Sequence, residues 1–204
     1  MATEQLQTED LIKETAKRLF FQKGHIHATT QEIADEAGVN RALIHYYFRS
    51  RDLLFEKVLQ ETMTNMFAKI EGIFTTNTSL RVKISQFIDA FLEENIDYPY
   101  LENFMITEMA RNPEKLKMFH PEERKAKIKG IVTRQLEEEI KAGLMPPIPI
   151  EHFMVNLMSL CNYPLVAKPV IQTVFGMNDA DYRKFLLERK KIIYRSIFNE
   201  DLPG

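Results

Sequence analysis

The chain has 204 residues, of which 45% are hydrophobic and 27% charged, the composition of a protein that forms a buried core. Its net charge of −2 excludes a generally basic nucleic-acid binder, so DNA binding would need positive charge concentrated at one site. One cysteine excludes an internal disulfide, apolar runs are too short for a membrane span, and the polar start lacks a signal-peptide pattern, so we expect a cytoplasmic protein with no membrane partner.

Helical periodicity extends along the whole chain, and the alternation typical of strands is absent. Capping residues, glycines and prolines predict helices at about 8–23, 30–38, 40–47, 51–74, 79–96, 99–111, 121–143, 150–170 and 180–199. We therefore predict an all-α fold. A small three-helix head occupies 1–50, and a larger helical body of 51–204 forms its own core. Pro164 should kink its helix and free a carbonyl upstream.

The segment 30–48 has the pattern of two short helices that meet at a tight turn. Ala34 is small enough for close helix contact, Gly38 suits a turn with positive φ, and Ile44 faces the core from the second helix. This spacing is typical of a helix-turn-helix, although an ordinary helical corner could use it as well.

The outward face of the second helix favours DNA recognition over a simple corner. From Gly38 to Arg51 the chain carries three arginines and no acid. Arginine can bind guanine with two hydrogen bonds, and the small Ala42 can meet a thymine methyl group. The local charge pattern, unlike the charge of the whole chain, therefore predicts a double-stranded DNA partner.

The same residues carry a specific resemblance to a known family. Across about residues 8–60 the chain resembles the tetracycline-repressor (TetR) family, through Thr29-Thr30, Ile33-Ala34, Ala37-Gly38-Val39 and the unbroken run IHYYFRSRDLL at 44–54. Position by position, the resemblance implies DNA contacts from Thr30, Gln31, Arg41, Ala42, His45, Tyr46, Tyr47 and Arg51. His45 departs from the family pattern, in which tyrosine is frequent, so its contact is either to a base or to the backbone.

The resemblance also implies a homodimer whose two C-terminal helices pack as a four-helix bundle, and a body pocket that controls the spacing of the heads. The residues expected at the dimer interface are Phe153, Leu157, Leu160, Phe185, Arg189, Ile192 and Ile193. The adaptable and polar residues expected around an effector are Phe67, Phe91, Phe104, Met105, Glu108, Met109, Met118, Phe119, Met158 and Asn162. Internal core packing remains the alternative for most of these side chains.

Catalytic and metal-binding patterns are missing. Cys161 lies in an apolar run, the histidines lack ligand spacing on one helix face, and no glycine-rich phosphate loop is present. We expect no enzyme activity, cofactor or metal. The sequence therefore predicts a ligand-responsive transcriptional regulator, a repressor released from its operator by a small, largely apolar effector of unidentified structure. The alternative is a helical protein-interaction module in which the helix-turn-helix is only a structural corner.

Overall fold

The structure, a computed structural model, describes residues 2–112, 114 and 122–200, and within these residues it contains helices and no strands. The predicted all-α class is confirmed. The ten α-helices of the described chain are α1 (Ala2–Lys17), α2 (Thr30–Ala37), α3 (Arg41–Phe48), α4 (Arg51–Phe74), α5 (Leu80–Asp97), α6 (Leu101–Arg111), α7 (Glu122–Lys141), α8 (Ile150–Val166), α9 (Lys168–Phe175) and α10 (Asp179–Phe198). A π-helical turn, Arg18–Gln22, continues α1. Across this part of the chain, none of the helices combines the length and apolar character needed to cross a membrane.

The helix-turn-helix is built from local capping interactions that the sequence predicts. The Thr29 hydroxyl accepts a hydrogen bond from the Glu32 backbone N–H, and the Glu32 carboxylate accepts one from the Thr29 backbone N–H at 2.7 Å. Gly38 ends α2 with φ of 67°, a conformation that strains any residue with a Cβ. The Asn40 side chain accepts from the Ala42 backbone N–H at 2.8 Å and caps α3.

Two of the predicted helices differ from the structure by more than two residues. The first helix begins at Ala2 rather than at Thr8. The predicted single helix 150–170 is wrong, because the chain breaks at Ala167 into α8 and α9. Pro169 lies in the first turn of α9, where its missing N–H costs nothing, whereas inside a continuous helix its ring would clash with the Leu165 carbonyl.

Two hydrophobic cores divide the described chain, and the boundary between them lies inside α4. The head core runs from Ile12 through α3 to Phe67 of α4, and it also takes Leu101 and Met105 from α6. The body core runs from Phe74 to α10. The head core therefore extends beyond residue 50 and includes two residues of a body helix.

The α8–α10 pair is held together around Pro164. Because Pro164 has no N–H, the Leu160 carbonyl one turn earlier loses its usual helical partner. The Arg189 Nη2 of α10 donates to this carbonyl at 3.1 Å, while the Tyr182 hydroxyl donates to the Pro164 carbonyl at 2.6 Å. The freed carbonyl that the sequence predicts is thus present, and α10 satisfies it.

We predict that Arg189→Ala lowers the free energy of unfolding by ~1–3 kcal/mol, because the partly buried Leu160 carbonyl loses its donor. Pro164→Ala restores an N–H that can donate to the same carbonyl, so Arg189→Ala should cost less in that background. Urea unfolding of the four proteins at one concentration measures both costs. Lys191→Ala, at an exposed position of α10, is the control. An equal cost of Arg189→Ala in both backgrounds would contradict this assignment.

Candidate nucleic-acid interface and ligand cavity

The exposed face of α3 presents four of the side chains predicted to meet DNA. Arg41, Ala42, His45 and Tyr46 are all exposed, whereas Ile44 on the opposite side of α3 is fully buried. Since the buried residue fixes the rotation of the helix, the four outward side chains share one orientation. The helix therefore offers donors, an aromatic ring and one small apolar residue on a single face.

Arg41 is positioned by a residue of the preceding helix. Its Nε donates to the Thr30 hydroxyl at 3.1 Å, and Thr30 itself is buried at the start of α2. Within the described residues its two terminal guanidinium nitrogens have no hydrogen-bond partner, so the end that can bind guanine with two bonds is available. Gln31 is exposed on α2, and its amide donates to Asp35 at 2.7 Å.

The aromatic group at the end of α3 has a defined arrangement. The His45 Nδ1 lies 3.0 Å from the Arg49 carbonyl oxygen, and Arg49 adopts a left-handed φ of 64°. When Nδ1 carries the proton, this bond leaves Nε2 facing outward as an acceptor. The rings of Tyr46 and Tyr47 meet edge to face with centroids 5.0 Å apart, and Tyr47 is half-buried against Phe48.

Arg51, also expected at DNA, is engaged inside the head. Its guanidinium lies 5.2 Å from the Phe20 ring centroid and 5.0 Å from that of Phe55. Its Nε donates to the Ala28 carbonyl at 3.3 Å, and its Nη1 to Asp52 at 3.3 Å. The cation therefore packs the start of α4 onto the first helix, with only part of its side chain exposed.

A cavity of about 560 Å³ lies in the body. It is contributed by α4, α5, α6, α7 and α8, and its walls are mainly methionine, phenylalanine and isoleucine. Its size and apolar walls are those of a small-molecule site. The predicted effector residues that line it are Phe67, Phe91, Met105, Met109, Met158 and Asn162.

Two other predicted effector residues lie elsewhere. Phe104 does not line the cavity, because its ring packs against Phe21 and Phe55 at centroid distances of 6.0 and 5.1 Å. Glu108 does not line it either, and its carboxylate accepts from the Asn112 side chain at 3.0 Å. Met118 and Phe119 fall outside the described residues.

Glu102, which sequence reasoning missed, lines the cavity and is only 7% exposed. Burial raises its pKa from 4.5 to about 7. Burial also raises the pKa of the Cys161 thiol to about 12, and the nearby Glu102 carboxylate adds to that effect. The available signal was helical spacing, because Glu102 precedes Met105, Ile106 and Met109 at i+3, i+4 and i+7 on one face of α6.

The predicted dimer residues divide into two sets. Phe153, Leu157 and Ile193 are at most 1% exposed within this chain, so their assignment to an interface is wrong: they point into the body core. The other four lie along an outward surface of α8 and α10. We call this surface the two-helix face, and its apolar or small members are Val155, Ser159, Leu160, Tyr163, Phe185, Ile192 and Ser196.

The helix α6 connects the cavity to the head. The Tyr100 backbone N–H, just before α6, donates to the Phe21 carbonyl at 3.0 Å. The Tyr100 ring lies where a Cβ on Gly24 would approach within 2.9 Å, and Gly24 has φ of 74°. Lys17 of α1 adds an ion pair with Glu94 at 3.4 Å and lies 3.9 Å from the Tyr98 ring centroid.

Comparisons with known proteins agree with this geometry. Residues 12–58 match the family described as "Bacterial regulatory proteins, tetR family". The "Probable HTH-type transcriptional regulator YttP" of Bacillus subtilis is 28% identical over 195 residues, covering 94% of each chain. The fatty acid degradation regulator FadR of Bacillus halodurans has a similar fold, with a TM-score of 0.58, 15% identity and coverage of 92% of this chain and 94% of its own. FadR of Bacillus subtilis, solved with stearoyl-CoA, has a TM-score of 0.57, 14% identity and coverage of 90% and 96%.

The raised pKa of Glu102 predicts a pH-dependent stability. Between pH 4.5 and about 7 the unfolded chain has lost this proton while the folded chain retains it, so the free energy of unfolding falls as pH rises. The free energy of unfolding falls by about 1.4 kcal/mol per pH unit, on the order of 3 kcal/mol in total. Above the folded-state pKa this contribution no longer changes with pH. Glu102→Gln should remove it.

Urea unfolding of both proteins across this pH range, at one protein concentration, isolates the contribution of Glu102, because the other ionisable groups cancel in the difference. The Glu102→Gln protein should become progressively more stable than the parent as pH rises. Parallel pH profiles would show that Glu102 ionises normally in the folded state.

Proposed function

We propose that this chain is a member of the TetR family of bacterial transcriptional regulators and acts as a homodimeric repressor that a small, largely apolar effector releases from its operator. The observation that carries the proposal is the combination of an exposed, acid-free recognition face on α3 with a body cavity built on helices that also enter the head. We place the protein in the cytoplasm and assign it no catalytic step.

In this proposal α3 enters the major groove of the operator. The free end of the Arg41 guanidinium reads a base edge, Ala42 meets a neighbouring base, and His45, Tyr46 and Tyr47 contact bases or phosphates. Thr30 acts mainly by holding Arg41, because its hydroxyl is buried and already accepts from that side chain. Arg51 contributes mainly to the packing of the head, because two aromatic rings enclose its guanidinium.

The two-helix face supports a homodimer. Val155 and Tyr163 on α8 are 61% and 64% exposed, which leaves large apolar surfaces uncovered in one chain. Pairing of this face with its copy about a twofold axis would bury both surfaces in a four-helix contact. Two heads related by that axis would then meet successive major grooves about 34–36 Å apart.

Two helices can transmit effector binding to the heads. Met66, Phe67 and Ile70 of α4 line the cavity, while the start of the same helix packs in the head core. Met105 and Ile106 of α6 line the cavity too, and the chain just before α6 is bonded to the first helix. An effector that prefers one arrangement of α4 and α6 would select a head spacing that no longer fits the operator.

The apolar walls of the cavity support an effector that is mostly hydrocarbon. Methionine side chains adapt to irregular shapes, and the cavity takes them from α4, α6 and α8. The related fold of Bacillus subtilis FadR was solved with stearoyl-CoA, whose acyl chain is also apolar.

A protein-interaction module is the less favoured alternative. A corner that serves only to join helices does not require the arrangement seen on α3. There the Arg41 guanidinium points outward beside the small Ala42 and the exposed ring of Tyr46. Arg41→Ala separates the two functions, because it would leave DNA behaviour unchanged in such a module.

We expect the protein to select a defined site from a library of random duplexes, with an affinity that falls as salt rises. Arg41→Ala should weaken binding to that site by ~1–3 kcal/mol and relax the preference at one base position. Gel shift at several salt concentrations measures both effects. Arg134→Ala, at an exposed arginine of α7, is the matched control and should change neither. If the parent protein shows no sequence-specific, salt-sensitive binding, the DNA-binding proposal is refuted.

We also expect the parent protein to sediment at twice the chain mass. Ile192→Glu should shift it toward the monomer, because the interface would have to bury a carboxylate from each chain in place of an apolar side chain. Leu53→Glu, at an exposed leucine of the head, should leave the mass unchanged. Analytical ultracentrifugation at several concentrations is the measurement, and a parent protein that is monomeric throughout would refute the dimer.

A further inference from the structure

The cavity contains two polar groups that lack a partner in the described residues. The Glu102 carboxyl receives no hydrogen bond or ion pair from this part of the chain, and burial alone shifts its pKa. The Asn162 Oδ1 is buried without a donor. Polar groups of buried residues are normally paired, so an unpaired Glu102 carboxyl and an unpaired Asn162 oxygen that line the same cavity require an explanation. The Asn162 Oδ1 is an acceptor, and both oxygens of Glu102 accept once its carboxyl is ionised, so a ligand group that pairs with both residues is a hydrogen-bond donor.

The two groups lie on neighbouring helices. Glu102 is in the first turn of α6, Asn162 is in the second half of α8, and these two helices pack together. Cys161, which precedes Asn162, is close enough to Glu102 for the carboxylate to affect the pKa of its thiol. Both side chains line the same cavity, whose other charged lining residues are Lys125, Lys129 and Glu151.

The other charged groups along the cavity are neutralised in pairs. Lys129 of α7 and Glu151 of α8 form an ion pair at 2.9 Å, with both side chains more than half exposed. Lys125 pairs with Glu122 at 2.6 Å. The charges at the mouth therefore balance each other, and Glu102 is the acidic group left without a counter-charge inside.

We propose that the effector is an apolar amine, whose ammonium group is held by Glu102 and Asn162 and whose hydrocarbon part lies among the methionine and phenylalanine side chains. This inference rests on the proposed function, since it assigns the ligand class of the same cavity.

An ammonium group fits Glu102 and Asn162 in number of donors and in charge. It carries up to three N–H donors, enough to reach both the Glu102 carboxylate and the Asn162 Oδ1. Its positive charge stabilises the ionised form of Glu102. The cost of burying either charge alone is offset when the two are buried together with their hydrogen bonds made. A fatty acid presents the opposite case, because its carboxylate would place acceptors and a like charge against Glu102.

The test uses three probes that share one hydrocarbon chain: decylamine, decan-1-ol and decanoate, each below its micelle-forming concentration. Isothermal titration calorimetry at pH 7.5 gives their affinities for the full chain. Glu102→Gln removes the buried acid with little change in shape. Glu151→Gln is the matched control, because Glu151 lines the same cavity but is exposed and paired with Lys129.

We expect decylamine to bind about tenfold or more tightly than either other probe. Glu102→Gln should remove that preference while leaving decan-1-ol binding nearly unchanged, and Glu151→Gln should preserve it. Asn162→Leu should weaken decylamine more than decan-1-ol, because it removes the amide oxygen that accepts from the ammonium group. A thermal melt of each variant verifies that it is folded.

Three results would overturn the inference. Decanoate binding as tightly as decylamine would assign the cavity to an acid or to any alkyl chain, and the apolar effector of the proposed function would still stand. If Glu102→Gln and Glu151→Gln weaken decylamine binding equally, the ammonium group lies at the exposed edge of the cavity near Glu151 instead. Binding of none of the probes would contradict the effector cavity itself, and the proposed function would fail with it.

Discussion

The backbone hydrogen bond from Tyr100 to the Phe21 carbonyl joins the body to the head where the first helix widens into a π-helical turn. A π turn shifts the helical bonding by one residue, as in the bond from Lys23 to the Arg18 carbonyl, and such turns often mark functional positions. The Phe21 carbonyl is then available to a residue outside the helix. Gly24 makes room for the Tyr100 ring directly beside this bond. The position of α6, and with it the shape of the cavity, therefore depends on a distortion at the end of the head's first helix.

The cavity is costly for the folded chain by itself. An apolar space of about 560 Å³ forfeits dispersion contacts along its walls, and an unpaired buried carboxyl adds a further desolvation cost. A ligand that fills the space and pairs the carboxyl recovers both. The binding free energy available to the effector is therefore large compared with the few kcal/mol that separate alternative arrangements of packed helices. The features that make the cavity costly to form are therefore the ones that an effector uses when it shifts the arrangement of the heads.

The sequence predicted the head well because short-range chemistry determines it. The capping box at Thr29 and the left-handed Gly38 depend on residues within a few positions of each other. The body was harder, because its helices carry apolar residues on more than one side and periodicity cannot say which side meets which neighbour. Phe153 was therefore placed at an interface although it is a core residue, and Phe104 was placed at the cavity although it packs in the head. The spacing of Glu102 with Met105 and Met109 indicates the face of α6 on which it lies, but the burial of this acid follows from the packing of α6 against α8, which the spacing does not give.

The helix α8 contributes residues both to the cavity and to the two-helix face, so the two surfaces are mechanically connected. Successive residues of an α-helix are turned by about 100°, so three consecutive positions point in three directions. Phe153 points into the body core, Met154 lines the cavity, and Val155 lies on the two-helix face. The pattern returns one turn later with Leu157, Met158 and Ser159. A ligand that moves the cavity side of α8 must therefore move the face that we assign to the partner subunit. Because Arg189 fastens α8 to α10 at the Leu160 carbonyl, that movement involves both helices of the face together.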